Sequence, residues 1–397
     1  MKKVLKEAGW LSLKLDKTPL YSLHQELGAK MFEFAGWSMP LRYTKVTEEV
    51  LAVRNSYGLF DVSHMGRFFI EGEGALELMQ MSTTNDVSKL QPLKGHYTFI
   101  TNEKGGFKDD CILTCMGKDK YFLVVNAANR VKIGEWLAKV AADMDLSVQI
   151  TDITFSSASI AVQGPLAPRA VEKASGLNLS NVSRFSAVWM EISGIKVFAT
   201  RTGYTGEDGF ELYVFNVSAE EPENAVEVFK KMLEIGEAVK AKPCGLAARD
   251  VLRLEAGFVL YGNDVDEGIT PVEADLMRFV KLDKGSFIGR EAIETQLARG
   301  ISRKRIGIKM ITPHIPRKGN RVMVGGEEVG FVTSGNHSPT VGTGIAMGYL
   351  KPEYARPGVK VEVETRAGVG EALTTSPPFY DTSVYGLRRS TKPEARL

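Results

Sequence analysis

The texture of the sequence changes at Lys304, and that change limits what the chain can fold into. Upstream, several segments carry apolar residues at helical spacing, with shorter apolar runs between them. Downstream there are only short β-prone runs broken by turns, at 306–310, 321–324, 328–333, 344–350 and 359–364. Strands at this spacing, with no helix among them, read as a barrel or sandwich of their own. The expectation is an α+β protein with an extension at 1–17, a mixed helix–strand region at 18–303 and an all-β domain at 304–397. With 397 residues the chain can bury two or three cores. No segment of about 20–50 residues repeats, which excludes a solenoid.

Composition narrows the class. Hydrophobic residues make up 44% and charged residues 25%, the balance of a folded protein and not of a disordered one. A formal net charge of +2 gives no reason to expect nucleic acid or an anionic membrane as partner. No run approaches the length of an apolar membrane span. Three cysteines cannot build a disulfide framework. Cys111 and Cys115 sit in an apolar segment with no histidine nearby, so strand packing is expected and metal is not. A reducing compartment, the cytoplasm, is the simplest location. The first 17 residues are lysine-rich but carry Glu7, Asp16 and no arginine, a poor transit peptide. A mitochondrial matrix location would need a longer precursor.

Within the first region, the stretch from Tyr97 to Asn126 is the most informative. It places Asp109 and Asp110 after the pair Gly105–Gly106, then runs through two apolar segments separated by Gly-Lys-Asp-Lys, the pattern of a β-hairpin. A turn centred on Lys118 and Asp119 sets Asp110 opposite Ala127, and a slip of one residue sets it opposite Asn126. Either register brings a carboxylate and an amide to the open end of the hairpin. A carboxylate there can hold a raised pKa and take a proton. From these residues alone, a solvated turn is the simpler reading.

Other segments give local expectations. Thr18 followed by Pro19 suits a helix N-cap. Gly36, Trp37 and Pro40 mark an irregular segment. His64 has no second histidine at ligand spacing and reads as a hydrogen-bonded structural residue. Residues 130–144 form an amphipathic helix with Val131 in its apolar stripe. The loop 201–209 holds three glycines, and Glu211 just after it would be informative only if buried. Arg249, Asp250 and Arg253 lie at the spacing of helical ion pairs. Helices are expected at 272–280 and 288–299.

Taken together, the motifs resemble one family. FAGWSMP from Phe34, FDVSHMG from Phe60, TTNDVSKL from Thr83, NEKGGFKDD from Asn102, AVQGP from Ala161, TGYTGEDGFE from Thr202, KPCGLAARDVLRLEAG from Lys242 and TSGNHSP from Thr333 are similar to the aminomethyltransferase, or T-protein, of the glycine cleavage system. The likeness is collinear from about Thr18 to Tyr385.

The resemblance implies a three-domain cloverleaf around a folate site, with two interleaved α/β domains in 18–303 and a C-terminal β-barrel. It implies transfer of the aminomethyl carbon from the lipoyl arm of an H-protein to tetrahydrofolate, with release of ammonia and formation of 5,10-methylenetetrahydrofolate. Asp110 matches the family's catalytic aspartate, and side-chain alternation would turn Asp109 to the other face of its sheet. Asn126 would bind folate beside Asp110. Glu211 matches the pterin ligand, a carboxylate for two adjacent N–H donors. Tyr97 and Tyr204 would line the ring slot, Met65 would pack on the ring, Arg249 would suit the glutamyl carboxylate, and Tyr385 would be a C-terminal contact. Arg278 departs from the family, where many relatives carry tryptophan. Two other readings use the same fold: a tetrahydrofolate-dependent demethylase with a different donor pocket, and a non-catalytic folate-binding protein.

Overall fold

The computed structural model describes residues 15–390. The expected extension therefore falls mostly outside the described residues, although Asp16 already bridges to Trp37.

A six-stranded sheet forms the first layer, in the order Ala187–Ile192, Ile195–Thr200, Gly209–Phe215, Ser157–Gln163, Gly58–Asp61, Lys242–Pro243. Every residue of Ser157–Gln163 is buried, as suits a strand with neighbours on both edges and layers on both faces. The helices Ala167–Ser175 and Glu223–Gly236 cover one face through Ala170, Val171, Phe229 and Met232.

The second sheet has five strands, ordered Gly95–Thr101, Phe107–Gly117, Lys120–Val125, Gly66–Glu71, Gln149–Asp152. The helices Ala75–Ser82 and Arg130–Asp143 pack on it through Leu78, Met79, Ile133 and Leu137. Val131 is not part of that stripe, since it is 58% exposed. The two sheets meet across aromatic side chains. Phe122 of the second stands 4.8 Å from Tyr213 and 5.8 Å from Phe198 of the first, all three buried.

The chain leaves the first sheet after Asp61, builds the second sheet, and returns at Ser157. Arg67 holds this crossing. Fully buried, it donates to the Ser63, Met65, Thr154 and Ser157 carbonyls and to the Ser157 hydroxyl at 2.6–3.0 Å. Those acceptors satisfy a cation that burial would otherwise penalise.

The C-terminal part is a closed six-stranded barrel, in which Lys304–Met310 pairs with both Thr343–Leu350 and Gly368–Thr375. Closure removes the free edges that an open sheet of this size would expose.

Three further local expectations fail. Thr18 does not cap the first helix, Tyr21–Glu26; its hydroxyl donates instead to Asp61 at 2.6 Å. The segment around Pro40 is a two-stranded hairpin, Lys30–Phe34 with Trp37–Arg42, and Pro40 is tolerated because both strands are edges and the ladder shifts beside it, at Leu41. Residues 272–280 are turns with one short 3-10 segment, Met277–Phe279, because Asp275 takes a left-handed φ of 57° that no α-helix accommodates.

Candidate active site

The 97–126 hairpin forms with Lys118 and Asp119 in its turn, the latter at a φ of 55°. A bulge at Met116 shifts the ladder so that Ile112 faces Val124. Continued two residues further, that register sets Asp110 opposite Asn126, the second of the two arrangements the sequence allowed.

Asp110 keeps a partly exposed edge. Its Oδ2 accepts the Tyr97 hydroxyl at 2.6 Å, and its Oδ1 accepts Asn126 Nδ2 at 2.9 Å. Asp109 does not turn away from this amide. Its Oδ1 accepts Asn126 Nδ2 and Asn129 Nδ2, each at 2.7 Å, and its Oδ2 accepts the Asn126 backbone N–H at 3.0 Å. Side-chain alternation nonetheless holds, because the bulge at Lys108 precedes both residues: Asp109 shares a face with Ile100 and Cys111, Asp110 shares the other with Tyr97 and Phe99, and the one Asn126 amide at the strand end reaches both carboxylates. Burial raises the pKa of both carboxyls, and the neighbouring carboxylate adds to the rise at Asp109.

Opposite lies the glycine loop. Glu211 is only 9% exposed, which makes it informative. Its Oε2 accepts the Thr202 hydroxyl and, at 3.4 Å, that of Tyr213. Oε1 accepts nothing among the described residues, so it is available to a ligand donor. Gln163 anchors the loop: its Nε2 donates to the Thr202 carbonyl at 3.0 Å and its Oε1 accepts the Thr205 hydroxyl at 3.1 Å. Tyr204 donates to the Val259 carbonyl and stacks on Phe258 at 5.8 Å.

The helix Leu246–Ala256 supplies the third wall. Asp250 and Arg253 pair at 2.7 Å as the spacing suggested, but Arg249 joins no ion pair among the described residues. Its guanidinium lies 4.7 Å over the Tyr204 ring, and one Nη is buried with no partner. Burial lowers its pKa, with Glu211 and Tyr204 opposing that drop. Arg249 therefore sits at the Glu211 end of the site.

The structure thus brings Asp110, Tyr97, Asn126, Tyr204, Glu211 and Arg249 around one region. Met65 borders it, half-buried against Phe60, Ala248 and Val251. Tyr385 lies in the C-terminal segment, its ring 6.4 Å from that of Tyr380, whose hydroxyl lies against Gly206 of the glycine loop. His64 is buried against Phe34 with its Nδ1 unbonded, not hydrogen-bonded as expected, and burial lowers its pKa to about 3. Arg278 is exposed and stacks on Phe279, whose ring stands 4.8 Å from that of Tyr97. Sequence reasoning missed Asn129, Gln163 and Thr202. Gln163 and Thr202 lie within quoted motifs, and Asn129 falls one helical turn after Asn126.

Comparison with known proteins identifies the family. Residues 20–284 match the GCVT N-terminal domain, and residues 303–381 match the glycine cleavage T-protein C-terminal barrel domain. The chain belongs to the glycine cleavage T-protein family. A probable aminomethyltransferase of Pyrococcus horikoshii is 41% identical over 94% of this chain and 98% of its own length. The aminomethyltransferase of Halothermothrix orenii is 44% identical over 90% of this chain and 99% of its own. The crystal structure of the glycine cleavage system aminomethyltransferase T from Bartonella henselae superposes with a TM-score of 0.84 at 34% identity, covering 92% of this chain and 98% of that one. As a member of this T-protein family the chain is an enzyme, an aminomethyltransferase, with the family's α+β fold and closed barrel. No helix among the described residues is long and apolar enough to cross a membrane.

Proposed function

We propose that the chain moves the methylene carbon of an aminomethyl group from the lipoyl arm of an H-protein to tetrahydrofolate, giving ammonia and 5,10-methylenetetrahydrofolate. The carbon exchanges its bonds to sulfur and nitrogen of the donor for bonds to two folate nitrogens. The two protons displaced from those nitrogens end on ammonia and on the lipoyl thiol. A group that takes a proton from one nitrogen and returns it to a leaving group serves both halves of this exchange.

Asp110 carries that role. It is a partly exposed carboxylate fixed by Tyr97 and Asn126, and it faces Tyr204 of the glycine loop. Its fixed position is the single observation on which the reading rests, because a carboxylate already aimed needs no reorganisation when charge develops. Glu211 Oε1 accepts a pterin N–H, while Thr202 orients the other oxygen. Tyr97 and Tyr204 flank the ring. Arg249, with an unbonded Nη beside Glu211, recognises an acceptor on the pterin ring in place of the glutamyl carboxylate first expected of it. Asn126 spends its side-chain amide on both aspartates, so it orients Asp110 and leaves its carbonyl oxygen for folate.

The test is ammonia release from aminomethyl-loaded H-protein, with and without tetrahydrofolate, by the wild type and Asp110→Asn. Folate-dependent release that collapses in the variant, while folate still binds, supports the reading. Tight folate binding by the wild type without folate-dependent release sinks it and favours the demethylase or binding-protein alternatives.

A further inference from the structure

The mechanism above uses Asp110 and leaves Asp109 without a task. Asp109 is fully buried. Its oxygens accept from four N–H groups: Asp110 N at 3.0 Å, Asn126 N at 3.0 Å, and Asn126 Nδ2 and Asn129 Nδ2 at 2.7 Å each. The orientation of the Asn126 amide is fixed by its surroundings, because Nδ2 also faces the Asp110 carbonyl at 3.1 Å and Asp110 Oδ1 at 2.9 Å. A carboxylate satisfies all four donors. A carboxylic acid in the same place would aim its hydrogen at a group that is itself donating.

Asp110 is placed differently. Its Oδ2 meets the Tyr97 hydroxyl at 2.6 Å. A phenol can donate to a carboxylate and can turn to accept from a carboxylic acid. A proton on Asp110 therefore has a partner in either state.

We propose that Asp109 is a positioning residue: a fixed buried anion that holds the Asn126 amide in place and keeps the proton of the aspartate pair on Asp110. The functional half of this statement rests on the transfer reaction proposed above, whereas the placement of the proton does not.

The consequence is chemical. A buried negative charge next door makes Asp110 a stronger base than a lone aspartate, closer to what a proton carrier needs at neutral pH. Other groups facing the pair do not supply that charge. Asp110 also sees Tyr97, Tyr204, Cys111 and Asp264, and Asp264 is matched by Arg253 at 2.7 Å. Asp109 also sees Cys111 and Tyr261, and the Tyr261 hydroxyl is bonded to Lys132 at 2.8 Å. No cation pairs with Asp109 among the described residues.

Infrared difference spectroscopy of the folate-free protein with isotope-labelled aspartate, titrated through neutral pH, tests the placement directly. One protonated carboxyl band is expected to titrate well above the ordinary carboxylate range. Tyr97→Phe should shift its frequency, because the bonded acid loses its phenol partner, and Asn129→Ala should leave the frequency unchanged. A shift in Asn129→Ala with none in Tyr97→Phe would place the proton on Asp109 and overturn the proposal, as would the absence of any such band. For the functional half, Asp109→Asn removes the neighbouring charge. The acid limb of its kcat–pH profile should move to lower pH by about one unit or more with folate affinity retained; a limb that does not move overturns the tuning role. Should that variant fail to fold, the two infrared comparisons still decide the placement. A wild type with the expected bands but no transfer activity would remove the proposed function and leave the proton on Asp110.

Discussion

Arg54 sets its Nε and one Nη on a single oxygen of Glu255, at 3.0 and 2.7 Å, across a separation of 201 residues. Its other Nη reaches Glu207 at 3.0 Å and the Thr205 carbonyl at 2.9 Å. Glu255 also takes the Ser338 hydroxyl of the barrel at 2.5 Å, and Glu207 takes Arg389 of the C-terminal segment at 2.6 Å. One buried guanidinium thus ties the helix Val46–Asn55 to the loop bearing Tyr204, to the helix Leu246–Ala256 and, through its partners, to the barrel and the chain end.

Replacing Arg54 leaves Glu255 buried without its cation and Glu207 with Arg389 alone. Removing one member of a buried pair costs about 3–5 kcal/mol. Arg54→Met should lose stability on that scale in urea denaturation. Arg54→Lys should recover only part of it, since one ammonium cannot serve both carboxylates in the same fork. A loss in Arg54→Met below about 1 kcal/mol, the range of exposed ion pairs, would show that the network relaxes around the gap.

Acid stability should depend on Asp61. Burial alone would raise its pKa, but hydrogen bonds from His24, Ser63 and Thr18 outweigh burial and lower it to about 2. A carboxyl whose folded pKa lies below its unfolded value stabilises the fold above the unfolded pKa, and that contribution is lost as pH falls through the folded one. The window therefore runs from about pH 4 down to about pH 2, and the contribution is about 2 kcal/mol. Asp61→Asn should be less stable than wild type at neutral pH, and the difference should shrink through that window. A constant difference across the same acid titration would rule out Asp61 as its source.

What could be read from the sequence was what short-range chemistry determines. The barrel strands and the helix Arg130–Asp143 follow from periodicity, which is a local property. The hairpin turn at Lys118 and Asp119 is equally local, but its register was undecided because the bulge at Met116 leaves no mark in the sequence. Thr18 looked like a cap because capping residues are polar and precede apolar runs; its partner, Asp61, lies 43 positions away. Whether Glu211 is buried was hidden for the same reason, since burial is decided by what packs over it. Asp110 was ambiguous in its own stretch and became a candidate only through its likeness to a family. Asp109 shows the converse: alternation, a local rule, places it on the face away from Asp110, but that one Asn126 amide bonds both carboxylates depends on a residue 16 and 17 positions away.

Glu211→Gln should weaken tetrahydrofolate binding. The substitution keeps size and one acceptor but replaces a charged acceptor by a neutral amide at a buried position. Hydrogen bonds to charged groups contribute about 1.5–3 kcal/mol, which corresponds to a dissociation constant about 10- to 100-fold higher. Calorimetric titration measures it. In the proposed role the carboxylate recognises the ring and does not touch the transferred carbon, so kcat at saturating folate should fall less than affinity does. The opposite pattern, unchanged affinity with a collapsed kcat, would take Glu211 out of the binding role.

Gly106 tests whether the approach to the aspartates is as tightly set as it looks. A Cβ added there would stand 2.0 Å from the Glu267 carbonyl oxygen and 2.7 Å from its carbon. Both are backbone atoms, so no side chain can swing aside. The same backbone is pinned on either side: Phe107 N–H donates to the Asp266 and Ile269 carbonyls at 3.1 Å, and Asn102 donates to the Glu267 carbonyl at 3.1 Å. Gly106→Ala must therefore push the 266–269 loop away from the start of the strand Phe107–Gly117, two and three residues before the two carboxylates. Overpacking of this kind costs about 1–3 kcal/mol, and a displacement of about 1 Å at the reacting groups lowers turnover about 100-fold. Gly117→Ala, at the far end of the same strand, is the control, because a Cβ there meets nothing within 4 Å. Thermal unfolding and turnover of the two variants should separate cleanly, with Gly117→Ala close to wild type in both. Equal turnover in the two would mean that the loop yields without moving Asp109 and Asp110, and that the strand start does not set their position.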